Sequence, residues 1–190
     1  YGGFTMKDNF FIQYITHPRT VGAILPSSKR LACKMIDNIN FADCKCIVEF
    51  GPGTGIFTKE ILKKRNENTI FFLIEYNKEF YNILVSKYGQ LKNVHIINDS
   101  AENITYYIKE YAIESVDYIV SGLPFASLPK HMSEKILAES KKVLGNKGEF
   151  ITFQYTQFKV PLINNYFKNL HSKRELLNIP PAYVFRCTNR

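Results

Sequence analysis

Residues 47–58, IVEFGPGTGIFT, place three glycines at alternate positions directly after a run of apolar residues. An apolar run that ends in a glycine-rich loop before a helix is typical of an α/β domain. Gly51, Gly53 and Gly55 can adopt positive φ angles and let a ligand come close to the backbone. The stretch therefore predicts a ligand site at the carboxyl end of a parallel strand.

Segments with strand-like and helix-like patterns alternate after this loop as far as residue 155. The predicted strands cover residues 45–50, 69–74, 94–97, 116–120 and 149–155, and the predicted helices cover residues 55–65, 78–88, 102–111 and 129–144. This alternation predicts an α/β fold with a mostly parallel sheet and helices on both faces. Two more strands are predicted at ELLNI (175–179) and AYVFRC (182–187). They would form an antiparallel hairpin at one edge of a seven-stranded sheet.

The segment before Lys45 has a different pattern. FFIQYI at residues 10–15 predicts a short helix, and Ser27 or Ser28 could act as the N-cap of a helix over residues 29–38. We interpret residues 6–190 as a single domain, in which residues 6–44 form a helical lid and residues 45–190 form the core. Residues 1–5, YGGFT, precede the first methionine and are interpreted as a remnant that is foreign to the natural protein.

Composition limits the classes of function. The chain has 190 residues, 45% of them hydrophobic, which suits one well-buried domain. No apolar run approaches the ~18 residues of a membrane span, and no secretory signal is visible. The four cysteines lack zinc spacing, so we expect reduced thiols, no metal and a cytoplasmic protein. The formal charge of +8 favours nucleic acid or an anionic membrane surface as a partner.

The spacing of the glycine loop and its neighbouring acid indicate the ligand's charge. The loop is G-x-G-x-G, because Ile56 replaces the third glycine of the dinucleotide fingerprint. Glu49, two residues before the first glycine, would repel a pyrophosphate and attract a cation. The stretch EFGPGTG resembles motif I of the class I S-adenosylmethionine (SAM)-dependent methyltransferases. This resemblance implies a Rossmann-like fold and a SAM cofactor, with S-adenosylhomocysteine as its product.

Acidic residues after the next two predicted strands extend this interpretation. Glu75 ends the strand that follows the glycine loop, where a carboxylate can accept bonds from ribose hydroxyls. Asp99 follows the third strand and looks like the family's adenine-binding position. The predicted cofactor-binding residues are Glu49, Gly51, Pro52, Gly53, Thr54, Gly55, Glu75, Tyr76, Asp99, Ser100, Ala101 and Ser121.

A second loop, SGLPFASLP at residues 121–129, follows the fourth strand. In the resembled family this loop faces the transferred methyl group, which implies catalytic roles for Ser121, Gly122, Leu123, Pro124 and Phe125. Backbone carbonyls there could accept from an acceptor amine, and aromatic faces of Phe125 and Tyr155 could hold developing positive charge. Adenine N6-methyltransferases carry a related N-[LP]-P-[YF] loop, but a serine stands here in place of the asparagine.

The chain also resembles the bacterial phospholipid N-methyltransferase family. The resemblance lies in GAILPSS (22–28), EFGPGTGIFT (49–58), SGLPF (121–125) and PPAYVFRC (180–187). It implies methylation of the amine of phosphatidylethanolamine by a peripheral protein of the inner membrane face. The residues predicted to contact the substrate or the membrane are Phe10, Phe11, Tyr14, Arg19, Arg30 and Tyr155.

Other functions stay open at this point. The chain could be an adenine N6-methyltransferase acting on ribosomal RNA or other nucleic acid, which it resembles more distantly. It could also methylate a small molecule or a peptide, or bind SAM or lipid without catalysis. The sequence does not predict the oligomeric state.

Overall fold

A computed structural model describes residues 26–155, 160–175 and 181–189, with side chains from residue 29 onward. The helices are α1 (Pro26–Ile36), α2 (Ile56–Lys64), α3 (Lys78–Tyr88), α4 (Ile104–Glu110), α5 (Lys130–Leu144) and α6 (Val160–Asn164), with a 3-10 turn at Ala101–Asn103. The strands are β1 (Cys46–Phe50), β2 (Ile70–Ile74), β3 (Val94–Ile97), β4 (Tyr118–Ser121), β5 (Glu149–Gln154), β6 (Asn169–Glu175) and β7 (Ala182–Thr188). No helix in these ranges is long and apolar enough to cross a membrane.

The seven strands form one sheet in the order β3-β2-β1-β4-β5-β7-β6. The first five strands in this order are parallel, whereas β7 runs antiparallel to both β5 and β6. The direction of strand progression reverses between β1 and β4. Parallel α/β sheets open a crevice at such a reversal, beyond the carboxyl ends of the strands. The predicted seven-stranded sheet with an antiparallel C-terminal edge is confirmed.

Buried apolar side chains cover both faces of the sheet. Alternate residues of β1 point to opposite faces, so that Ile47 packs in the cluster with α1 and α2 while Val48 packs in the cluster with α4 and α5. Full burial of a side chain such as Phe50 or Phe72 contributes roughly 1.5–3 kcal/mol. The core therefore holds β1 rigidly, and with it the glycine loop that follows.

The first helix corrects part of the N-terminal prediction. Ser27 and Ser28 lie inside α1, so neither is its N-cap. Pro26 is the first residue of α1, and a fixed φ suits proline to the first turn of a helix. Leu31 and Met35 of α1 are buried against the sheet, so this helix is a layer of the core. The predicted helix at residues 10–15 lies outside the described residues, and the lid role of that segment stays a prediction.

The C-terminal hairpin also differs from the prediction. Strand β6 ends at Glu175, so the strand predicted over residues 175–179 is displaced toward the N-terminus, and residues 176–180 lie outside the described ranges. β6 contains mostly exposed polar residues, NLHSKRE, because it pairs on one side only and forms the edge of the sheet. An exposed edge strand lacks the apolar alternation by which strands are recognised. The adjoining strand β7 is confirmed.

Candidate active site

The predicted site residues meet at one edge of the sheet. Within the ladder, Glu49 of β1 is in register with Leu73 of β2 and with Val120 of β4. The chain after each of these strands therefore emerges at the same edge, which brings the glycine loop, Glu75 and the loop from Ser121 together. Backbone bonds extend the ladder one step further, from Gly51 N to Ile74 O (3.0 Å) and from Gly122 N to Phe50 O (2.8 Å).

All three glycines of the loop have the conformation that the sequence predicts. Their φ angles are 62° at Gly51, 56° at Gly53 and 86° at Gly55, in the left-handed region that other residues avoid. A Cβ at Gly51 would lie 2.8 Å from Leu123 Cδ2, the end of a flexible side chain that can shift, so the positive φ is what requires glycine at this position. Among the described residues, nothing lies within 4 Å of a Cβ placed at Gly53. The backbone at Gly53 is therefore open to a ligand on that side.

Glu75 is nearly fully buried and braces the glycine loop. Its Oε2 accepts from Gly53 N at 2.9 Å, and its Oε1 accepts from Asn77 N at 2.8 Å. Burial raises the pKa of Glu75, and the bonds from the backbone N–H groups oppose that shift. Each carboxylate oxygen has a second lone pair, so both oxygens can still accept from a ligand hydroxyl. Glu75 is thus placed both to shape the loop and to bind ribose.

Glu49 is a fully buried carboxyl group at the end of β1. Thr58 Oγ1 donates to its Oε2 at 2.7 Å, whereas its Oε1 has no hydrogen-bond partner among the described residues. Burial raises the pKa of Glu49 to about 8, with the charge of Glu75 adding to the shift and the bonds from Thr58 opposing it. A buried acceptor without a partner is costly unless a ligand donor meets it.

Asp99 follows β3 and accepts three hydrogen bonds. Ser100 N donates to Oδ1 at 2.6 Å, while Tyr107 Oη and Asn103 Nδ2 donate to Oδ2 at 2.7 and 2.9 Å. Partial burial opposes ionisation, but the bonds from Tyr107, Asn103 and Ser100 outweigh it and lower the pKa of Asp99. The carboxylate is therefore ionised and held in one orientation.

The other predicted cofactor residues have mixed environments. Pro52 O accepts from Gly55 N, and Thr54 O accepts from Lys87 Nζ at 3.2 Å. Ser100 caps the 3-10 turn through its side chain, and Ala101 is buried in the core. Tyr76 is 63% exposed beside Glu75, so its ring is accessible to a ligand.

The loop at residues 121–129, which we call the acceptor loop, lies directly against the glycine loop: a Cβ placed at Gly122 would lie 2.8 Å from Gly51 O. Ser121 is fully buried and its Oγ accepts from Leu123 N at 3.3 Å, while Thr152 Oγ1 donates to Ser121 O at 3.4 Å. The carbonyl of Leu123 accepts from Phe125 N at 3.0 Å and from Gln154 Nε2 at a long 3.5 Å. A carbonyl oxygen has two lone pairs, so Leu123 O can take a ligand donor only in place of the weak bond from Gln154. The carbonyls of Gly122 and Leu123, followed by Pro124, stay the predicted backbone acceptors of the site.

Phe125 corrects the prediction of an aromatic face. Its side chain is fully buried and its ring packs at 73° to Phe150, with centroids 6.1 Å apart. Tyr155, the other predicted aromatic, is 51% exposed beyond β5. Its ring contacts Phe153, which in turn contacts Phe57, with centroid distances of 5.5 and 5.8 Å. Phe57, Phe153 and Tyr155 form an aromatic row beside the acceptor loop, since Phe57 Cε2 lies 3.6 Å from the position of a Cβ at Gly122. Phe57 and Phe153 are partly buried, whereas Tyr155 is exposed.

The predicted membrane contacts are mostly untested by the described residues. Phe10, Phe11, Tyr14 and Arg19 lie outside the described ranges. Arg30 is exposed on α1. Their roles at a membrane or substrate stay predictions.

Sequence reasoning did not identify several residues that support the site. The hydroxyl of Thr58 reaches Glu49 from the first turns of α2, Tyr107 and Asn103 bind Asp99, and Gln154 contacts the acceptor loop. Each of these contacts joins segments whose proximity depends on the fold. Thr58 could have been identified from its position in the sequence, because a residue one helical turn after a glycine loop lies close to the end of the strand that precedes the loop.

The sequence of the chain matches a known protein family. The profile of the family described as "Ribosomal RNA adenine dimethylase" matches residues 23–157, well over half of the chain. The chain belongs to this family. Together with its relatives, this makes it a SAM-dependent methyltransferase of class I. The candidate site of this methyltransferase is the carboxyl edge formed by β1, β2, β3 and β4.

Relatives of two kinds are found among characterised proteins. The chain is 26% identical over 189 residues to an ornithine lipid N-methyltransferase of Singulisphaera acidiphila, with 96% of each chain covered. It is 33% identical over 105 residues to the ribosomal RNA small subunit methyltransferase A of Borreliella burgdorferi, with 54% of this chain and 34% of the relative covered. This chain thus matches about a third of the length of that ribosomal RNA methyltransferase.

Solved structures share the fold at low sequence identity. The N-methyltransferase NodS of Bradyrhizobium japonicum, in complex with S-adenosyl-L-homocysteine, has a TM-score of 0.69 at 9% identity and covers 92% of both chains. A precorrin-6y C5,15-methyltransferase of Geobacter metallireducens has a TM-score of 0.65 at 13% identity, covering 84% of this chain and 88% of its own. These similarities support the Rossmann-like methyltransferase fold.

The residues present fit SAM as the methyl donor. Glu49 Oε1 is a buried acceptor without a partner in the described part of the chain, which suits a cationic amino group. Glu75 has remaining lone pairs for ribose hydroxyls, and the ionised Asp99 suits the amino group of adenine. The open face at Gly53 gives the donor access to the backbone.

Proposed function

We propose that this enzyme methylates the amine of a lipid headgroup at a membrane surface, with phosphatidylethanolamine-type phospholipid as its substrate. The observation that carries the proposal is the match over 96% of both chains to an ornithine lipid N-methyltransferase. The ribosomal RNA relatives match over 34% to 50% of their length. The ornithine lipid N-methyltransferase is the relative that this chain matches over nearly its full length, and a lipid amine is the acceptor class that its name indicates.

The acceptor loop supports an aliphatic amine. The adenine enzymes that this loop resembles use an asparagine carbonyl, whereas this chain has Ser121, whose Oγ already accepts from Leu123 N. The backbone carbonyl of Gly122, and that of Leu123 in place of its weak bond from Gln154 Nε2, can accept from a primary amine without that side chain. The aromatic row can hold the positive charge that develops on the nitrogen.

The chain contributes position and exclusion of water to the reaction. SAM supplies an electrophilic methyl group on a sulfonium. The buried Ser121 and Phe125 form a rigid floor, so the carbonyls of the loop hold an uncharged amine in a fixed direction. Holding the nucleophile in this way converts a bimolecular encounter into a step between oriented groups.

Charge supports a membrane surface. The formal charge is +8, and each basic side chain near an anionic surface contributes about 1 kcal/mol to binding. We propose that Phe10 and Phe11 insert into the interface. The double variant Phe10→Asp with Phe11→Asp should then fail to float with anionic vesicles, while binding S-adenosylhomocysteine as the wild type does.

The main test supplies radiolabelled SAM with three acceptors in parallel. These are vesicles of phosphatidylglycerol with phosphatidylethanolamine, vesicles of phosphatidylglycerol with ornithine lipid, and ribosomal RNA. Label in the phosphatidylethanolamine lipid supports the proposal in full. Label in ornithine lipid alone keeps the lipid class and overturns the phospholipid assignment. Vesicles of phosphatidylglycerol without an amine lipid are the control.

Ribosomal RNA adenine methylation is the second candidate. The family profile and the 33% identity to ribosomal RNA methyltransferases favour it. It predicts label in RNA only, with binding that weakens steeply as salt rises. That result would overturn the lipid proposal. Label in none of the three acceptors would also overturn it, and would direct attention to small-molecule or peptide acceptors or to binding without catalysis.

A further inference from the structure

The hydrogen bonds around Asp99 exceed what its loop requires. Oδ1 accepts from Ser100 N, a bond that any Asp-Ser turn can form, but Oδ2 accepts from two side chains of a later element. Asn103 precedes α4, and Tyr107 lies one turn further along it. Residues four apart share a helix face, so both side chains reach the same carboxylate oxygen.

The side chain of Asn103 is directed to Asp99. Asn103 ends the 3-10 turn that runs directly into α4, and Ser100 caps the start of that turn through its side chain. The Asn103 side chain makes no cap bond at the start of α4, and its Nδ2 donates to Asp99 Oδ2 at 2.9 Å. Because Ser100 already serves as the cap, the Asn103 amide is available to Asp99.

The hydroxyl of Tyr107 is a hydrogen-bond donor that keeps its proton at neutral pH. Burial, together with the bond to Asp99, raises the pKa of Tyr107 to about 12, so its hydroxyl stays protonated at neutral pH. Its partly buried ring packs against the core cluster that contains Ile104 and Ile108. The Oη–Oδ2 distance of 2.7 Å is that of a well-formed bond to a charged acceptor.

We propose that Tyr107, with Asn103, is a positioning residue that fixes the Asp99 carboxylate as an acceptor for the amino group of adenine and so sets the enzyme's selectivity for the base of its methyl donor. Adenine presents an amino donor at its position 6, whereas hypoxanthine presents a carbonyl acceptor there. A carboxylate held in one orientation favours the donor and repels the acceptor. The inference rests on the cofactor assignment of the proposed function and is independent of the methyl acceptor.

Neighbouring residues provide a matched pair of variants. Tyr107→Phe removes the hydroxyl that reaches Asp99 and keeps the packed ring. Tyr106→Phe makes the same change at the adjacent residue, which is 63% exposed and contacts Tyr107 ring to edge at 5.1 Å. Asn103→Ala is a second test variant at an exposed position, in case Tyr107→Phe lowers the folded fraction.

The experiment measures binding of S-adenosylhomocysteine and S-inosylhomocysteine to the full chain by calorimetry. The wild type should prefer the adenosyl ligand by at least about ten-fold, a difference of roughly one hydrogen bond to a charged group. In Tyr107→Phe the adenosyl ligand should bind about five- to ten-fold more weakly and the inosyl ligand by less than about two-fold, which narrows the preference. Tyr106→Phe should match the wild type for both ligands.

Three results would overturn the proposal. Equal weakening of both ligands in Tyr107→Phe would show a merely structural role. An unchanged preference in Tyr107→Phe and in Asn103→Ala would show that the bonds to Asp99 do not matter. A wild type without any preference would remove base recognition from this site. A lipid assay without product, by contrast, would leave these binding results standing, so the two proposals fail separately.

Discussion

Replacement of Gly122 by alanine should separate the two loops of the active site. Gly122 N donates to Phe50 O, and a Cβ at Gly122 would lie 2.8 Å from the carbonyl oxygen of Gly51 and 3.5 Å from that of Phe50. Ordinary contact begins at 3.4 Å, so the acceptor loop must move from the glycine loop by about 0.6 Å. Both close neighbours are backbone atoms, which cannot rotate away.

The expected effects follow from that displacement. Overpacking of this kind costs about 1–3 kcal/mol of stability, and each kcal/mol lowers Tm by roughly 2–4 °C in a domain of this size. A misplacement of 1 Å at a catalytic centre can cost 10²-fold in rate, so kcat of Gly122→Ala should fall by about ten-fold or more. Affinity for S-adenosylhomocysteine should fall less, because Glu75 still braces the glycine loop.

The control variant is Gly145→Ala. Gly145 follows α5 at the opposite edge of the sheet, with a φ of 56° and open space for a Cβ. With ψ at -142°, this conformation lies outside the left-handed helical region, and the strain of an alanine there, about 1–3 kcal/mol, should lower Tm as much as Gly122→Ala does without changing kcat. Methyl-transfer rates, calorimetry and thermal melts are measured for both variants. If Gly122→Ala loses Tm as Gly145→Ala does and keeps the wild-type kcat, the close approach of the two loops has no role in catalysis.

Four further substitutions test the rest of the site. Glu75→Ala should weaken S-adenosylhomocysteine about 100-fold or more by calorimetry, since two bonds to a charged group are lost, and wild-type affinity would remove Glu75 from the site. Burial raises the pKa of Glu49 from 4.5 to about 8, so the folded state binds a proton that the unfolded state has lost, and the free energy of unfolding falls as the pH rises from 4.5 to 8. Urea denaturation should show a smaller fall over this pH range in Glu49→Gln than in the wild type. An equal fall in both would contradict the raised pKa of a buried Glu49. Phe125→Leu should lower Tm with kcat nearly kept, whereas Tyr155→Ala should lower kcat with Tm nearly kept, and the reverse pattern would exchange their roles.

The parallel part of the fold could be predicted because its signals are local. Strand β1 is apolar apart from Glu49, its fourth residue, and the glycine loop follows it, while β2 consists of apolar residues and Glu75 follows it. The carboxyl ends of parallel strands meet at one edge, so Glu49 and Glu75 could be assigned to the same site before their distance was known. Hydrogen bonds then confirmed that Glu75 reaches the glycine loop at Gly53.

Other features could not be predicted because they depend on packing. The Phe125 ring was expected at the surface of the site, but the chain turns after Pro124, whose carbonyl accepts from Ser127 N and Leu128 N, and this turn places the ring in the core. Strand β6 lacks an apolar face, so its position depends on pairing with β7, for which the sequence has no local signal.

The electrostatics of the site explain why an enzyme for a cationic donor buries two acids close together. Burial, with a smaller contribution from the charge of Glu75, raises the pKa of Glu49 to about 8, so that at pH 7 its carboxyl is mainly protonated. Thr58 binds one oxygen and leaves the other without a partner among the described residues. A ligand that carries positive charge would reverse both penalties, because it favours the ionised carboxylate and supplies the missing donor. A neutral ligand could supply a donor but not the charge, so we expect Glu49 to discriminate by charge while Glu75 holds the loop.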